Sequence, residues 1–440
     1  MQRVLSFQMG RGFGESSEYV SKRMCFSFLF SVGFLCLLGG FLLGRFATDQ
    51  TIKMRERRIL DDLAGNGLLV TKDLQLQIVD LLNASVFHEN YTMDASVETL
   101  RKQGVERLRD VFADLSIFRL NVNETETSLV ATICGTVEQD RYVVLSASGE
   151  GFDVAIKLAQ ILDNIYRTKG WEPKRTLIFC VFYGSTDYCG KRFLNRVKPD
   201  IAAYIAVHGN AARGTEDIVV SGSGMVQATI LDALNEIKFY HRLDNSFKAK
   251  QSPNSLPRLN LDVPHAVLSF VNPSSNLTTE EVELNQKILA QIVALSMYRF
   301  SEEIFFQWEP NYFNEIMSKA LGLIKSEELK ETKDHLNQTV AMFNHSLVEF
   351  NQKLKDTYVL NAVDVRMMND RLLDLDRALL CSDTKLRSIT DFVQFMRFPH
   401  EPAHTVKMDL NNIIDCYKAA TEIILEQAYC RRIFKDLVEF

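Results

Sequence analysis

A chain of 440 residues, 46% hydrophobic and 24% charged, with a formal net charge of −6, has the composition of an ordinary globular protein and more length than one core usually uses. Two domains are therefore expected, and a peptide hormone or minimal module is excluded. There is no basic excess to neutralise phosphates, so nucleic acid is not an expected partner.

Residues 1–23 form a short Gly- and Ser-containing tail without a sustained period, expected to be mobile and cytoplasmic. Its only tyrosine, Tyr19 in "YVSK", is followed by a lysine where a Tyr-based sorting signal needs a bulky apolar residue, so this motif gives endosomal cycling no support. Residues 24–44, "MCFSFLFSVGFLCLLGGFLLG", run 21 residues without a charge, enough to cross a hydrocarbon core about 30 Å thick. This predicts a transmembrane signal anchor. A cleaved signal peptide is the alternative, but its apolar region would be shorter and a small-residue cleavage site should follow.

The positive-inside rule does not orient the span, because Arg3, Arg11, Lys22 and Arg23 before it are balanced by Arg45, Lys53, Arg55, Arg57 and Arg58 after it. Glycosylation sequons do. Asn83, Asn90, Asn123, Asn276, Asn337 and Asn344 each stand two residues before Ser or Thr, all after the span. The C-terminal part is expected to be extracellular, on a plasma-membrane glycoprotein. Cys25 and Cys36 belong to the span. Cys134, Cys180, Cys189, Cys381, Cys416 and Cys430 remain for an oxidising compartment where disulfides are permitted, and spacing leaves their pairing open.

From 52 to about 82 the chain is charged and then amphipathic, which suits a stalk. Between about 128 and 305, strand-like apolar runs ("SLVATICGTV", "RYVVLSA", "RTLIFCVFY", "AAYIAVHG", "DIVVSG", "HAVLSFV") alternate with helical patterns. The helical stretches are "DVAIKLAQILDNIYRTKG", "VQATILDALNEIKF" and "TTEEVELNQKILAQIVALSMYRF". Two-sided apolar strands separated by helices predict an α/β fold with a mainly parallel sheet. After Pro310 the pattern is purely helical. Leu336, Val340, Phe343, Leu347, Phe350 and Leu354 alternate steps of four and three, the period of packed helices. A helical bundle beside a sheet domain is a natural dimerisation unit, although it can also simply close its own core.

Four stretches in order, "GTVEQDRYVVLSA", "LAQILDNIYRTKGWEPKRTLIFCVFY", "AAYIAVHG" and "VRMMNDRLLDLDRALL", resemble the transferrin receptor and glutamate carboxypeptidase II family, closest to the transferrin receptor branch. The resemblance runs in patches over 128–440. It implies an M28 zinc-aminopeptidase-like α/β domain followed by a helical dimerisation domain. It gives the organisation 1–23 tail, 24–44 anchor, 45–115 stalk and N-terminal helices, 116–306 peptidase-like domain and 307–440 helical dimerisation domain. In that domain Leu336, Val340, Phe343, Leu347, Met367, Met368, Leu372 and Leu375 are expected as core or dimer interface.

The family's enzymes hold two zinc ions with a His and a bridging Asp after one strand, a Glu pair after the next, an Asp after a third and a late His. Two divalent ions need several carboxylates to offset their charge and a base to activate the bridging water. Here the first loop, "LSASGEGFD", has no His, and its Glu150 and Asp153 suit a helix N-terminal turn. The Glu-pair position falls on Ser185 and Thr186, with Asp187 beside them as a helix cap. The third falls on His208, a single ligand at most. "NPSSNLTTEEV" lacks the late His, and His265 belongs to a strand start. The family's protease-associated domain is also missing, since "ADLSIFRLNVNETETSLVATICGTV" crosses that region in 25 residues. No Arg-Gly-Asp occurs, so transferrin binding does not carry over residue by residue.

The expected protein is a non-enzymatic, single-pass type II membrane glycoprotein, without a cofactor and homodimeric. It would be a cell-surface receptor for a protein ligand such as a transferrin-type iron carrier. The alternatives are a zinc exopeptidase with a rearranged site of Glu150, Asp187 and His208, and a shortened heterodimer partner of a full-length receptor.

Overall fold

The computed structural model describes residues 27, 30–41, 44–45, 67–87, 108–122, 128–182, 197–214, 217–241, 249–251, 263–271, 276–306, 308, 321–322, 326–356, 362–380 and 403–425. The chain divides into two units, Met1–Gly65 and Asn66–Phe440. In the first, the described residues are helical, and Phe30, Phe34, Leu35, Leu37 and Phe41 on 30–41 are all exposed. Among the described residues no helix is long and apolar enough to cross a membrane. The tail 1–23 and parts of the expected span lie outside them.

The second unit is built on one eight-stranded sheet: β1 (Arg119–Val122), β2 (Ser128–Ile133), β3 (Glu138–Ala147), β4 (Arg175–Phe182), β5 (Ile201–Val207), β6 (Ile218–Gly222), β7 (Ala249–Gln251) and β8 (His265–Phe270). Their order is β1-β2-β4-β3-β5-β8-β6-β7. The four central strands β4, β3, β5 and β8 are parallel. β2 pairs antiparallel with β4 and β6 with β8, so the sheet is mixed around a parallel centre. Every residue of β4 and β5 is buried, which is why their sequences are apolar without alternation.

Val143, Leu145, Leu177, Phe179 and Ile205 point from this sheet into the main core. The helices α1 (Gly67–Ala84), α2 (Gly151–Lys169), α3 (Gly224–His241) and α4 (Thr279–Glu302) pack into the same core. Val144, Ile178, Cys180 and Tyr204, one step out of phase, form a second cluster on the opposite face. α4 is the central helix, buried continuously from Ile288 to Glu302, and a capping box starts it. The Thr278 Oγ1 accepts from the Glu281 N–H (3.2 Å), and Glu281 accepts from the Thr278 N–H (2.8 Å). α1, expected in a stalk, instead buries Leu74, Ile78, Val79 and Leu82 in this core. Its amphipathic pattern reflects packing against α4 and α2.

Three further helices, α5 (Lys330–Asp356), α6 (Ala362–Leu379) and α7 (Ala403–Ile424), make the helical part. Leu336, Val340, Phe343, Leu347, Leu372 and Leu375 are buried. The Phe343 ring stands edge-on to Tyr417 (5.3 Å) and Trp308 (6.0 Å). Met368 is half-buried against the core, whereas Met367 is 39% exposed beside exposed Val363, so Met367 belongs to the outer face. The helical part shares one continuous core with the α/β part.

α6 runs under the amino edge of the sheet. Arg366 pairs with Asp140, and Arg141 with Asp370 and, at 3.5 Å, Asp200. The Arg377 Nη2 donates to the Pro199 carbonyl (2.7 Å). Further along, the Asp376 Oδ1 accepts from the Met225 N–H at the start of α3 (2.8 Å). Asp376 is 1% exposed, and burial pushes its carboxyl up to about 6.

Arg175, at the first position of β4 and 4% exposed, joins all these parts. It pairs with Glu138 of β3 and donates from Nη1 to the carbonyls of Phe300 (2.8 Å) and Glu303 (2.9 Å) where α4 ends. Its guanidinium lies 4.4 Å from the Phe306 ring centroid. Asn369 of α6 holds the same segment, accepting from the Phe306 N–H (3.1 Å) and donating to the Ile304 carbonyl (2.8 Å). Arg175→Met should cost about 3–5 kcal/mol in urea unfolding, because it orphans a half-buried carboxylate and two carbonyls at the end of α4. Asp376→Asn keeps the acceptor for Met225 but has no charge to bury. With the folded pKa raised, wild type loses stability as pH rises from about 4 through 6. The variant should escape that loss, ending about 2 kcal/mol ahead at pH 7.5 in paired melting curves.

Candidate functional site

In an open sheet with parallel central strands, ligands are normally bound beyond the strands' carboxyl ends. That edge is formed here by the exits of β3, β4 and β5, at Ser146–Ser148, Phe182 and His208. The exits of β3 and β5 are zipped together by backbone. The Ser148 N–H donates to the Val207 carbonyl (3.1 Å) and the Glu150 N–H to the Gly209 carbonyl (2.9 Å). The Gly209 N–H returns a bond to the Ser148 Oγ (3.3 Å).

This closeness requires glycine. Gly149 has φ +60, and a Cβ there would sit 2.6 Å from the Gly209 carbonyl oxygen. At Gly151, the first residue of α2, a Cβ would sit 2.1 Å from the Val207 carbonyl oxygen.

The charged residues of the β3–α2 turn serve this same construction. Glu150 accepts from the Ala212 N–H (3.0 Å) and pairs with Arg213. Asn285 of α4 donates to the carbonyls of Ala212 (2.7 Å) and Gly214 (3.0 Å), and the Phe270 N–H to Ala211 (2.8 Å). Together they pin the 208–214 loop over the end of the sheet. Asp153, in the first turn of α2, accepts from the Gln286 Nε2 (3.0 Å) and is buried.

His208 lies directly after β5, its Nε2 2.9 Å from the Ser146 Oγ. The Phe182 ring packs edge-on against the imidazole (5.1 Å). Burial holds the ring neutral, with its pKa lowered to about 4. A hydroxyl and a neutral imidazole at this distance can form a nucleophile–base pair, but Ser146 is 0% exposed, so no substrate carbonyl reaches its oxygen. The pair satisfies a buried hydroxyl and a half-buried imidazole.

Ser185, Thr186 and Asp187 lie outside the described residues, as do Asn90 and Asn123. His265 begins β8, its Nδ1 2.8 Å from the Val263 carbonyl, as a strand-start residue should be. Asn83, Asn276 and Asn337 are exposed, while Asn344 is half-buried on α5. Cys180 and Cys416 are disulfide-bonded. Cys134, one of the six cysteines expected in the oxidising compartment, is free, standing exposed just past the end of β2. Sequence reading missed Ser146, Arg213 and Asn285, the partners that engage the site. The available signal was a polar residue inside the otherwise apolar run "VVLSA".

Among the described residues the donor set does not fit a two-zinc centre. Among the described residues no three His, Cys, Asp or Glu side chains group closely enough to hold a metal ion. Glu150, Asp153 and His208 have separate partners.

No family model and no curated protein matches this chain. Among solved structures it is similar to the LapA aminopeptidase of Legionella pneumophila, with a TM-score of 0.34 and 10% identity over 57% of this chain and 74% of that one. It is also similar to an aminopeptidase from Aneurinibacillus sp. strain AM-1, with a TM-score of 0.31 and 13% identity over 42% and 50%. A third similar structure is a dinuclear metal-binding peptidase of the M20 family from Bacillus subtilis, with a TM-score of 0.31 and 9% identity over 51% and 98%.

Since the folded pKa of His208 is depressed below its unfolded value, the imidazole contributes stability above about pH 6.5 that is lost as pH falls toward 4. His208→Gln should remove about 2 kcal/mol of this acid loss. Chemical denaturation at pH 7 and pH 4.5 measures it, and the wild-type imidazole should titrate near pH 4 by NMR.

Proposed function

We propose that this chain is a non-enzymatic, membrane-anchored binding protein of the transferrin receptor type. Its α/β part would serve as a scaffold and its working form would be a homodimer at the cell surface. The observation that carries this reading is the engagement of Glu150, Asp153 and His208. Each is tied to a different partner that holds the fold, so none is available to share a metal ion with the others.

Anchoring draws support from the helix at 30–41, whose exposed Phe30, Leu37 and Phe41 suit lipid better than water. The disulfides at Cys180 and Cys416 fit an oxidising compartment, and exposed Asn83, Asn276 and Asn337 can carry glycans on its extracellular side. A transferrin-type iron carrier is the first partner to try.

Elemental analysis of the purified full chain, paired with an aminopeptidase assay in added zinc, should find less than stoichiometric metal and no turnover. One or two zinc ions per chain together with hydrolysis would overturn the reading and restore the exopeptidase alternative. A folded dimer that takes up no iron carrier at neutral or endosomal pH would leave the scaffold but reject that partner.

A further inference from the structure

A cleft that none of this uses lies at the amino edge of the sheet, on the far side from Ser146 and His208. Its volume is about 420 Å³, within the range that holds small molecules. It opens between the segment entering β1, the β2–β3 turn and the end of α2.

Its walls are fixed. The Asp163 carboxylate accepts from the Ser116 hydroxyl (2.9 Å) and the Ile117 N–H (3.0 Å), and the Arg167 Nη2 donates to the Asp114 carbonyl (3.0 Å). On the other side the Gly135 N–H donates to the Thr176 Oγ1 (2.9 Å) and the Thr136 N–H to the Pro173 carbonyl (2.9 Å). Arg119, Cys134, Gln139, Tyr166 and Glu172 also line the space. Among the described residues their side chains form no hydrogen bond or ion pair, and Arg119 and Glu172 do not neutralise each other.

A rigid cleft that presents one unpaired guanidinium and one unpaired carboxylate repels a simple anion at Glu172 and a simple cation at Arg119. It suits a ligand with both charges. We propose that it binds a small zwitterion of the amino-acid class, up to about a dipeptide in length. Arg119 takes the carboxylate through its planar fork, Glu172 takes the ammonium, and Tyr166 and Gln139 bond the groups between. Cys134 plays no chemical part but reports occupancy, because a ligand in the cleft shields its thiol.

The test measures Cys134 alkylation by iodoacetamide on the full chain, resolved by peptide mass spectrometry, with alanyl-alanine as the probe. Alanyl-alanine should slow alkylation several-fold and saturably, while its N-acetylated and C-amidated forms, each lacking one charge, should not. Arg119→Ala and Glu172→Gln, both exposed positions, should keep the wild-type melting curve and lose the protection. Equal protection by the capped forms overturns the proposal. So does no protection of a wild-type chain that melts cooperatively.

Discussion

One buried guanidinium fixes the relation between the sheet, the central helix and the helical part. Arg175 enters the interior at the first residue of β4, where only a dense ring of acceptors can offset its lost hydration. Those acceptors come from β3, from the last carbonyls of α4, and from the residues that leave α4 for the helical part. A helix end normally leaves carbonyls without partners, and here they are the partners. The direction in which the chain leaves α4 is thereby set, and Asn369 reads that direction into the placement of α6.

The polar economy of the carboxyl edge follows a comparable logic. In a sheet this thoroughly apolar, any polar side chain at a strand exit must find a partner or remain open to solvent. Ser146 and His208 find one another, Glu150 finds Arg213 and a backbone N–H, and Asp153 finds Gln286. Glu150 and His208 thereby fasten the 208–214 loop to the end of the sheet, and Asp153 fastens α2 to α4. α6 meets the sheet at the opposite, amino edge, through Arg366, Asp370 and Arg377.

Much of this was legible in the sequence. The buried central strands betray themselves as unbroken apolar runs, and α2 to α7 by period, because both signals arise from burial itself. The short edge strands β1 and β7 carry no such run and were not legible. α1 read as a stalk because an amphipathic stripe has the same spacing whether it packs in a core or beside another chain. At the candidate site the addresses of Glu150 and His208 could be read, but their use could not. Asn285 is 73 positions from Ala212 and Gln286 is 133 from Asp153, separations at which only the fold decides who meets whom.

The two glycines of the β3–α2 turn set a limit on what this scaffold can be made to do. A metal-binding side chain in that turn would have to replace Gly149 or Gly151, or free Glu150 from Arg213. The first position is left-handed and faces the Gly209 carbonyl, and the second presses against the Val207 carbonyl. Any new side chain there must first push β5 and α2 apart, breaking the backbone zipper that closes the edge. Placing a larger side chain at either glycine is therefore a task of moving secondary structure, and no single exchange of residues will bring it about.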